Sequence, residues 1–181
     1  MTALTTTLVL GGARSGKSAL AERLVRASAL TPIYLATATA GDDEMLARIS
    51  HHRMRRGDGW TTFEEPLELV RALDSASGRD RAVLVDCLTL WLSNIMHAGR
   101  DAESETRRLA DWLAQAQSPV VLVSNEVGLG LVPETALGRS FRDAQGRLNQ
   151  AVAAAVPNVV FVAAGLPIRL KGQSVTEMMP S

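Results

Sequence analysis

The chain has 181 residues, 46% apolar and 4% aromatic, with 19 Lys plus Arg against 19 Asp plus Glu and a single cysteine. That length and apolar share suit one domain with a full hydrophobic core, while balanced charge and few rings argue against nucleic acid as a main partner. The lone Cys87 rules out an internal disulfide, suits a reducing cytoplasm and is read as a small buried core residue.

The N-terminus has neither a basic leader nor room for a signal-type apolar segment before Gly11, and no uninterrupted apolar run approaches membrane-spanning length, so no membrane partner is expected. From there apolar runs alternate with helical patterns, as parallel βαβ units do when helices cover both faces of a sheet. Strands are predicted near 5–10, 33–38, 82–86, 119–124 and 158–164, and helices near 17–28, 42–56, 66–77, 88–97, 102–116 and 134–155. Pro32, Pro66, Pro119, Pro133 and Pro157 fall at the proposed boundaries, where a missing N–H does least harm. Ile168-Arg169-Leu170 follows Gly165-Leu166-Pro167 too closely for a helical crossover and is read as an antiparallel edge strand. Residues 1–172 are thus expected to form one α/β domain with a mostly parallel sheet, and the polar residues 173–181 a frayed tail.

The first loop carries the most chemistry. Gly11-Gly12-Ala13-Arg14-Ser15-Gly16-Lys17-Ser18 has the spacing of a phosphate-binding P-loop, with an apolar run before it and a helical pattern after it. Glycines let the backbone aim several N–H groups inward, Lys17 reaches the outer phosphates, the Ser18 hydroxyl holds Mg²⁺, and the helix turns its positive end to the anion. The rival reading, a glycine-rich turn that binds nothing, does not account for that context.

Ligands of an open α/β sheet gather at the carboxyl ends of its strands, and three further features fall there. Asp86 closes the run Ala82-Val83-Leu84-Val85, as a second metal-holding element does, or caps the next helix. Ser124-Asn125-Glu126-Val127-Gly128-Leu129-Gly130 is either a shaped contact for substrate or phosphate or a turn satisfying its own backbone; no Asn-Lys-x-Asp guanine code occurs in the chain. In 42–56, acids open a predicted helix and bases close it, and Arg48, His51 and Arg55 share one face. A phosphate chain could lie across that face, where cationic neighbours favour a neutral, nucleophilic imidazole; the alternative is a solvated helix end.

With these residues laid out, the chain resembles the bifunctional adenosylcobinamide kinase and adenosylcobinamide-phosphate guanylyltransferase family of cobalamin biosynthesis. The likeness runs from the P-loop through Tyr34-Leu35-Ala36-Thr37-Ala38, Asp42-Asp43-Glu44-Met45, Arg48-Ile49-Ser50-His51-His52 and Trp60 to Asn125-Glu126-Val127-Gly128-Leu129-Gly130-Leu131-Val132-Pro133-Glu134, Phe141-Arg142-Asp143 and Gly146-Arg147-Leu148-Asn149-Gln150. It implies a RecA-like P-loop NTPase fold, a homotrimer, ATP and GTP as substrates with Mg²⁺, and a corrinoid acceptor. It also implies two reactions: phosphorylation of the aminopropanol hydroxyl of adenosylcobinamide, then GMP transfer from GTP through a guanylylated histidine. The matching histidine is His51, with His52 second, and Lys17 is the other catalytic residue. The same resemblance places nucleotide contacts on the P-loop, on Ala36, Thr37 and Ala38, on Arg53, Met54, Arg55 and Arg56, and on Glu64 and Asp86. Two other readings compete: a monofunctional small-molecule kinase, and a nucleotide-binding module without turnover.

Overall fold

The computed structural model describes residues 4–39, 54 and 56–179. Strand β1 (Thr7–Gly11) leads through the P-loop into α1 (Lys17–Ala27), followed by β2 (Thr31–Ala36), β3 (Thr61–Glu64), α2 (Leu69–Ala76), β4 (Arg81–Asp86), α3 (Leu88–His97) and α4 (Ala102–Ala114). The chain closes with β5 (Val120–Asn125), α5 (Ala136–Ala155), β6 (Asn158–Ala163), β7 (Leu166–Lys171) and α6 (Val175–Met178). The strands form one sheet in the order β3-β2-β4-β5-β1-β6-β7. Its pairs are parallel except for β6 with β7, the antiparallel edge expected at Ile168-Arg169-Leu170.

Side chains of a strand alternate between faces, so each central strand serves two cores. Leu8, Leu10, Val83, Val85 and Leu122 pack with Leu73, Trp91, Leu109 and Leu148 on one face. Val9, Leu84, Val121 and Val123 pack with Leu20, Leu24 and Met178 on the other. Burial on both sides is why these strands read as unbroken apolar runs rather than as alternating ones. Trp91, the largest fully buried side chain, donates its indole N–H to Leu67 O at 3.0 Å, which satisfies its one polar atom.

The structure departs from the sequence expectations by two or three residues at several element boundaries and by two whole elements. β2 begins two residues before the predicted strand, so that Pro32 lies inside it opposite Ala82; near a strand start the missing donor costs little. β3 was not predicted: Thr61-Thr62-Phe63-Glu64 is a short exposed run whose pairing with β2 supplies what its composition does not. The segment read as a frayed tail instead forms α6, closed by a reciprocal capping box between Ser174 and Glu177 and anchored by Met178, which is 1% exposed. Of the predicted helix 42–56, only Met54 and Arg56 fall within the described residues. Among the described residues, no helix is long and apolar enough to cross a membrane.

Candidate active site

Strand register sets up the site. Ala36 lies opposite both Glu64 and Asp86, Asp86 opposite Val123, and Gly11 opposite both Asn125 and Val162. The carboxyl ends of β3, β2, β4, β5 and β1 therefore form one row, and the P-loop rises from the middle of the sheet beside it. Each candidate residue that sits at a strand end is delivered to this edge by the parallel topology.

The P-loop backbone is shaped by two glycines. A side chain at Gly11 would put its first carbon 2.5 Å from Val162 O, and Gly16 has φ 98° with Gly165 directly against it. Arg14 adopts φ 55°, and Ser15 N–H donates to Gly12 O at 3.3 Å. The loop is tied to the β6–β7 turn by the Gly165 N–H, which donates to Ser15 O at 2.8 Å. Gly16 caps α1 with no side-chain hydrogen bond, so the first-turn N–H groups are the helix's ready anion donors. Lys17 is buried, and its ammonium donates to Gly12 O at 2.8 Å, drawing the positive charge back across the loop. Ala13 and Arg14 are exposed, and Ser18 is half-buried on the first turn of α1.

Asp86 does not cap α3; that position belongs to Cys87, which caps it with backbone alone. The Asp86 carboxylate accepts a hydrogen bond at Oδ2 from the Tyr34 hydroxyl at 3.1 Å. Burial, and then the Asp86 charge, hold the Tyr34 hydroxyl well above the ordinary phenol range, so it stays protonated and remains a donor. The Asp86–Cys87 peptide is cis. Thr37 brackets it: its hydroxyl donates to Cys87 O at 2.7 Å and accepts from Cys87 N–H at 2.9 Å. Asn94 Nδ2 then donates to Thr37 O at 2.8 Å. Of the Ala36–Ala38 trio, Thr37 is thus turned into the protein, while Ala36 and Ala38 are half-buried at the edge.

Cys87 is enclosed beneath the same edge, and burial followed by the neighbouring Asp86 charge pushes its thiol up to about 11. The native protein is expected to resist alkylation at pH 8 and to react once unfolded in denaturant, as counting of modified thiols by mass would show. Full modification of the native protein would contradict this burial.

The remaining candidates are spread along the β2–β3 side. Glu64 ends β3 level with Asp86, and its side chain is exposed. Met54 is 74% exposed. Arg56 is buried: its guanidinium lies 3.5 Å from the Tyr34 ring centroid and donates to Thr62 Oγ1 at 3.2 Å. Arg26 donates to Arg56 O and stands 5.6 Å from the Trp60 ring. Arg56 therefore anchors the chain entering β3 against β2 and α1, and through Tyr34 it is one residue removed from Asp86. His51, Arg53 and Arg55 lie outside the described residues.

The loop after β5 is held from three sides. Asn125 N–H donates to Thr89 Oγ1 on α3 at 2.8 Å, and Asn125 O accepts from Asn149 Nδ2 on α5 at 3.0 Å. Glu126 N–H donates to Gly11 O at 3.1 Å, joining the loop to the P-loop itself. Behind it, Asn149 Oδ1 accepts from Ser124 Oγ at 2.7 Å and from Gln145 Nε2 at 3.0 Å. Gln145 and Asn149 were not singled out for a role in the sequence. The available signal was their spacing: two amides four residues apart on the stripe that carries Leu148 and Val152 are misplaced for a core unless they bond there.

A profile of the family described as cobinamide kinase / cobinamide phosphate guanyltransferase matches residues 7–170. The chain is 49% identical over 168 residues to the bifunctional adenosylcobalamin biosynthesis protein CobP of Pseudomonas aeruginosa, covering 92% of this chain and 97% of that one. It is 38% identical over 179 residues to the bifunctional adenosylcobalamin biosynthesis protein CobU of Escherichia coli, covering 91% and 98%. Among solved structures, a prototypical ATPase from the type III secretion system of pathogenic bacteria matches with a TM-score of 0.54 at 10% identity, over 98% of this chain and 59% of that one, which is a likeness of fold.

Proposed function

Since the chain belongs to the cobinamide kinase / cobinamide phosphate guanyltransferase family, whose reactions make it a bifunctional transferase, we propose that one phosphate cradle serves both reactions and that His51 carries GMP between them. The observation that carries this reading is the P-loop at the carboxyl edge, with Lys17 across its mouth, an α1 N-terminus without a side-chain cap and Asp86 in the row of strand ends.

Phosphoryl transfer asks for positioning and charge neutralisation more than for covalent chemistry. In the kinase step the P-loop N–H groups and Lys17 hold the triphosphate of ATP or GTP, and Arg14 adds charge. The acceptor is the aminopropanol hydroxyl of adenosylcobinamide. Mg²⁺, when bound, neutralises phosphate oxygens; the hydroxyl of Ser18 and the carboxylate of Asp86 are the hard oxygen donors it prefers, and the Tyr34 hydrogen bond at Oδ2 orients that carboxylate.

In the second step an imidazole nitrogen of His51 forms a bond to the α-phosphorus of GTP as the bond to pyrophosphate breaks. The phosphate oxygen of adenosylcobinamide phosphate then takes the phosphorus, and the N–P bond breaks with its electrons returning to the imidazole. The result is adenosylcobinamide-GDP, with one difficult displacement divided into two.

The assembly expected is a homotrimer in the cytoplasm. The number three comes from the resemblance and the compartment from the lone cysteine; what favours association is the edge strand β7, where Leu166, Ile168 and Leu170 alternate with Pro167, Arg169 and Lys171 and are 51–69% exposed.

Incubation with cobinamide, GTP and Mg²⁺ is expected to yield cobinamide phosphate, cobinamide-GDP and pyrophosphate. Excess EDTA should stop both steps, and Mg²⁺ in excess of the chelator should restore them. Either step running at full rate in EDTA would remove the metal from this account.

A further inference from the structure

We propose that the corrin macrocycle of the substrate rests on an aliphatic overhang above the carboxyl edge, formed by Leu137 and the loop leucines Leu129 and Leu131, with Val132 beside them. The inference rests on the cobinamide reading above and names the surface that would hold that substrate.

Helix α5 is longer than the strands it covers. Gln145 and Asn149 bond to Ser124 and Asn125 at the very end of β5, so that part of α5 is level with the carboxyl edge of the sheet. Leu137 lies eight residues earlier, about 12 Å further along the helix axis. It also belongs to the core stripe: Leu137, Phe141, Ala144 and Leu148 fall at i, i+4, i+7 and i+11, one face of the helix. Ala144 and Leu148 are buried against the sheet and Phe141 packs at the margin of the same cluster, whereas Leu137 is 64% exposed. The stripe continues, but the sheet beneath it has ended, so Leu137 overhangs the edge where the P-loop stands.

The loop that leads into α5 extends this surface. Leu129, Leu131 and Val132 are 83%, 97% and 64% exposed. Local bonds lie on either side of them: Gly128 N–H donates to the Glu126 carboxylate, Arg139 donates to the carbonyls of Pro133 and Glu134, and Thr135 caps the helix by accepting from Gly138 N–H. The loop is fastened to the P-loop at its other end, by Glu126 N–H to Gly11 O. Four large aliphatic side chains kept in water on one loop and the first turn of the helix it leads into, in a loop bonded to the P-loop strand, are costly unless a ligand covers them.

The substrate has the matching chemistry. Only its hydroxyl-bearing arm has to reach the end of the triphosphate, while its macrocycle, too bulky for a phosphate loop, has to lie outside and alongside. With 4% aromatic residues the chain has little to stack on a ring, and aliphatic contact with the macrocycle is what it offers instead.

The test is equilibrium dialysis of cobinamide, read by its visible absorption, against the full chain with Mg²⁺ and a non-hydrolysable GTP analogue. The variants are Leu131→Asn alone and Leu131→Asn with Leu137→Asn, both at exposed side chains, with molar mass followed by light scattering. The double variant is expected to bind cobinamide about tenfold more weakly, with nucleotide affinity and molar mass unchanged and the single variant intermediate. Undiminished cobinamide binding in the double variant would overturn the inference alone. A fall in molar mass accompanying the loss would assign this surface to a second copy of the chain and also overturn it. If the unsubstituted protein takes up no cobinamide, the substrate reading fails and the inference with it.

Discussion

Lys17→Ala is expected to lower both the kinase and the guanylyltransferase activity by at least about a thousandfold, with little change in thermal stability. The ammonium stands 2.8 Å from Gly12 O, across the loop whose N–H groups are proposed to receive the phosphates. Removing it deletes a full positive charge from a largely buried position where charge on the triphosphate has to be neutralised. If one triphosphate cradle serves both reactions, as proposed, they should fall together. Measured separately, as phosphate transfer from labelled ATP and as pyrophosphate release from GTP with cobinamide phosphate supplied, the two rates should show parallel losses. Loss of one alone would mean that the second nucleotide is held elsewhere.

The second large effect divides the activities instead of joining them. His51→Ala is expected to abolish GMP transfer, by at least about a thousandfold, while leaving most of the kinase rate. The kinase step needs the cradle and an acceptor hydroxyl but no nucleophilic side chain. Nucleotidyl transfer through a phosphoramidate does need one, and in the sequence His51 stands at helical spacing from Arg48 and Arg55, i−3 and i+4. Equal loss of both activities in a folded variant would contradict the division of labour.

Much of the scaffold behind these predictions was legible in the chain. Unbroken apolar runs announced strands buried on both faces, and the P-loop spacing between Leu10 and Ala19 announced both a turn and a chemistry. What escaped was structure whose cause lies far away in sequence. β3 is four residues of Thr, Phe and Glu with no periodicity to notice, and it exists because β2 offers an open edge. α6 is a single turn, and what fixes it is Met178 reaching the core on the α1 side of the sheet. Both are tertiary effects that override weak local preference.

The site was legible in the same uneven way. Asp86 was recognisable at a strand end, but the Tyr34 hydroxyl that orients it comes from a neighbouring strand, 52 positions away. Arg56 was expected by resemblance at the nucleotide; burial against the Tyr34 ring gives it an anchoring role that a solvent-facing arginine would not have. The amides of Gln145 and Asn149 are what hold the loop after β5, and a polar pair on an apolar stripe was the sign of it. Membership of the bifunctional family sets aside the monofunctional and non-catalytic readings, which the P-loop alone could not distinguish.

The guanylyl-histidine is the central claim, and trapping it tests the account most directly. The protein is incubated with Mg²⁺ and GTP labelled at the α-phosphate, denatured, and counted for retained label. The account predicts a stoichiometric label that is acid-labile and alkali-stable and that is absent from His51→Ala. No retained label, or label that persists in His51→Ala, would contradict it.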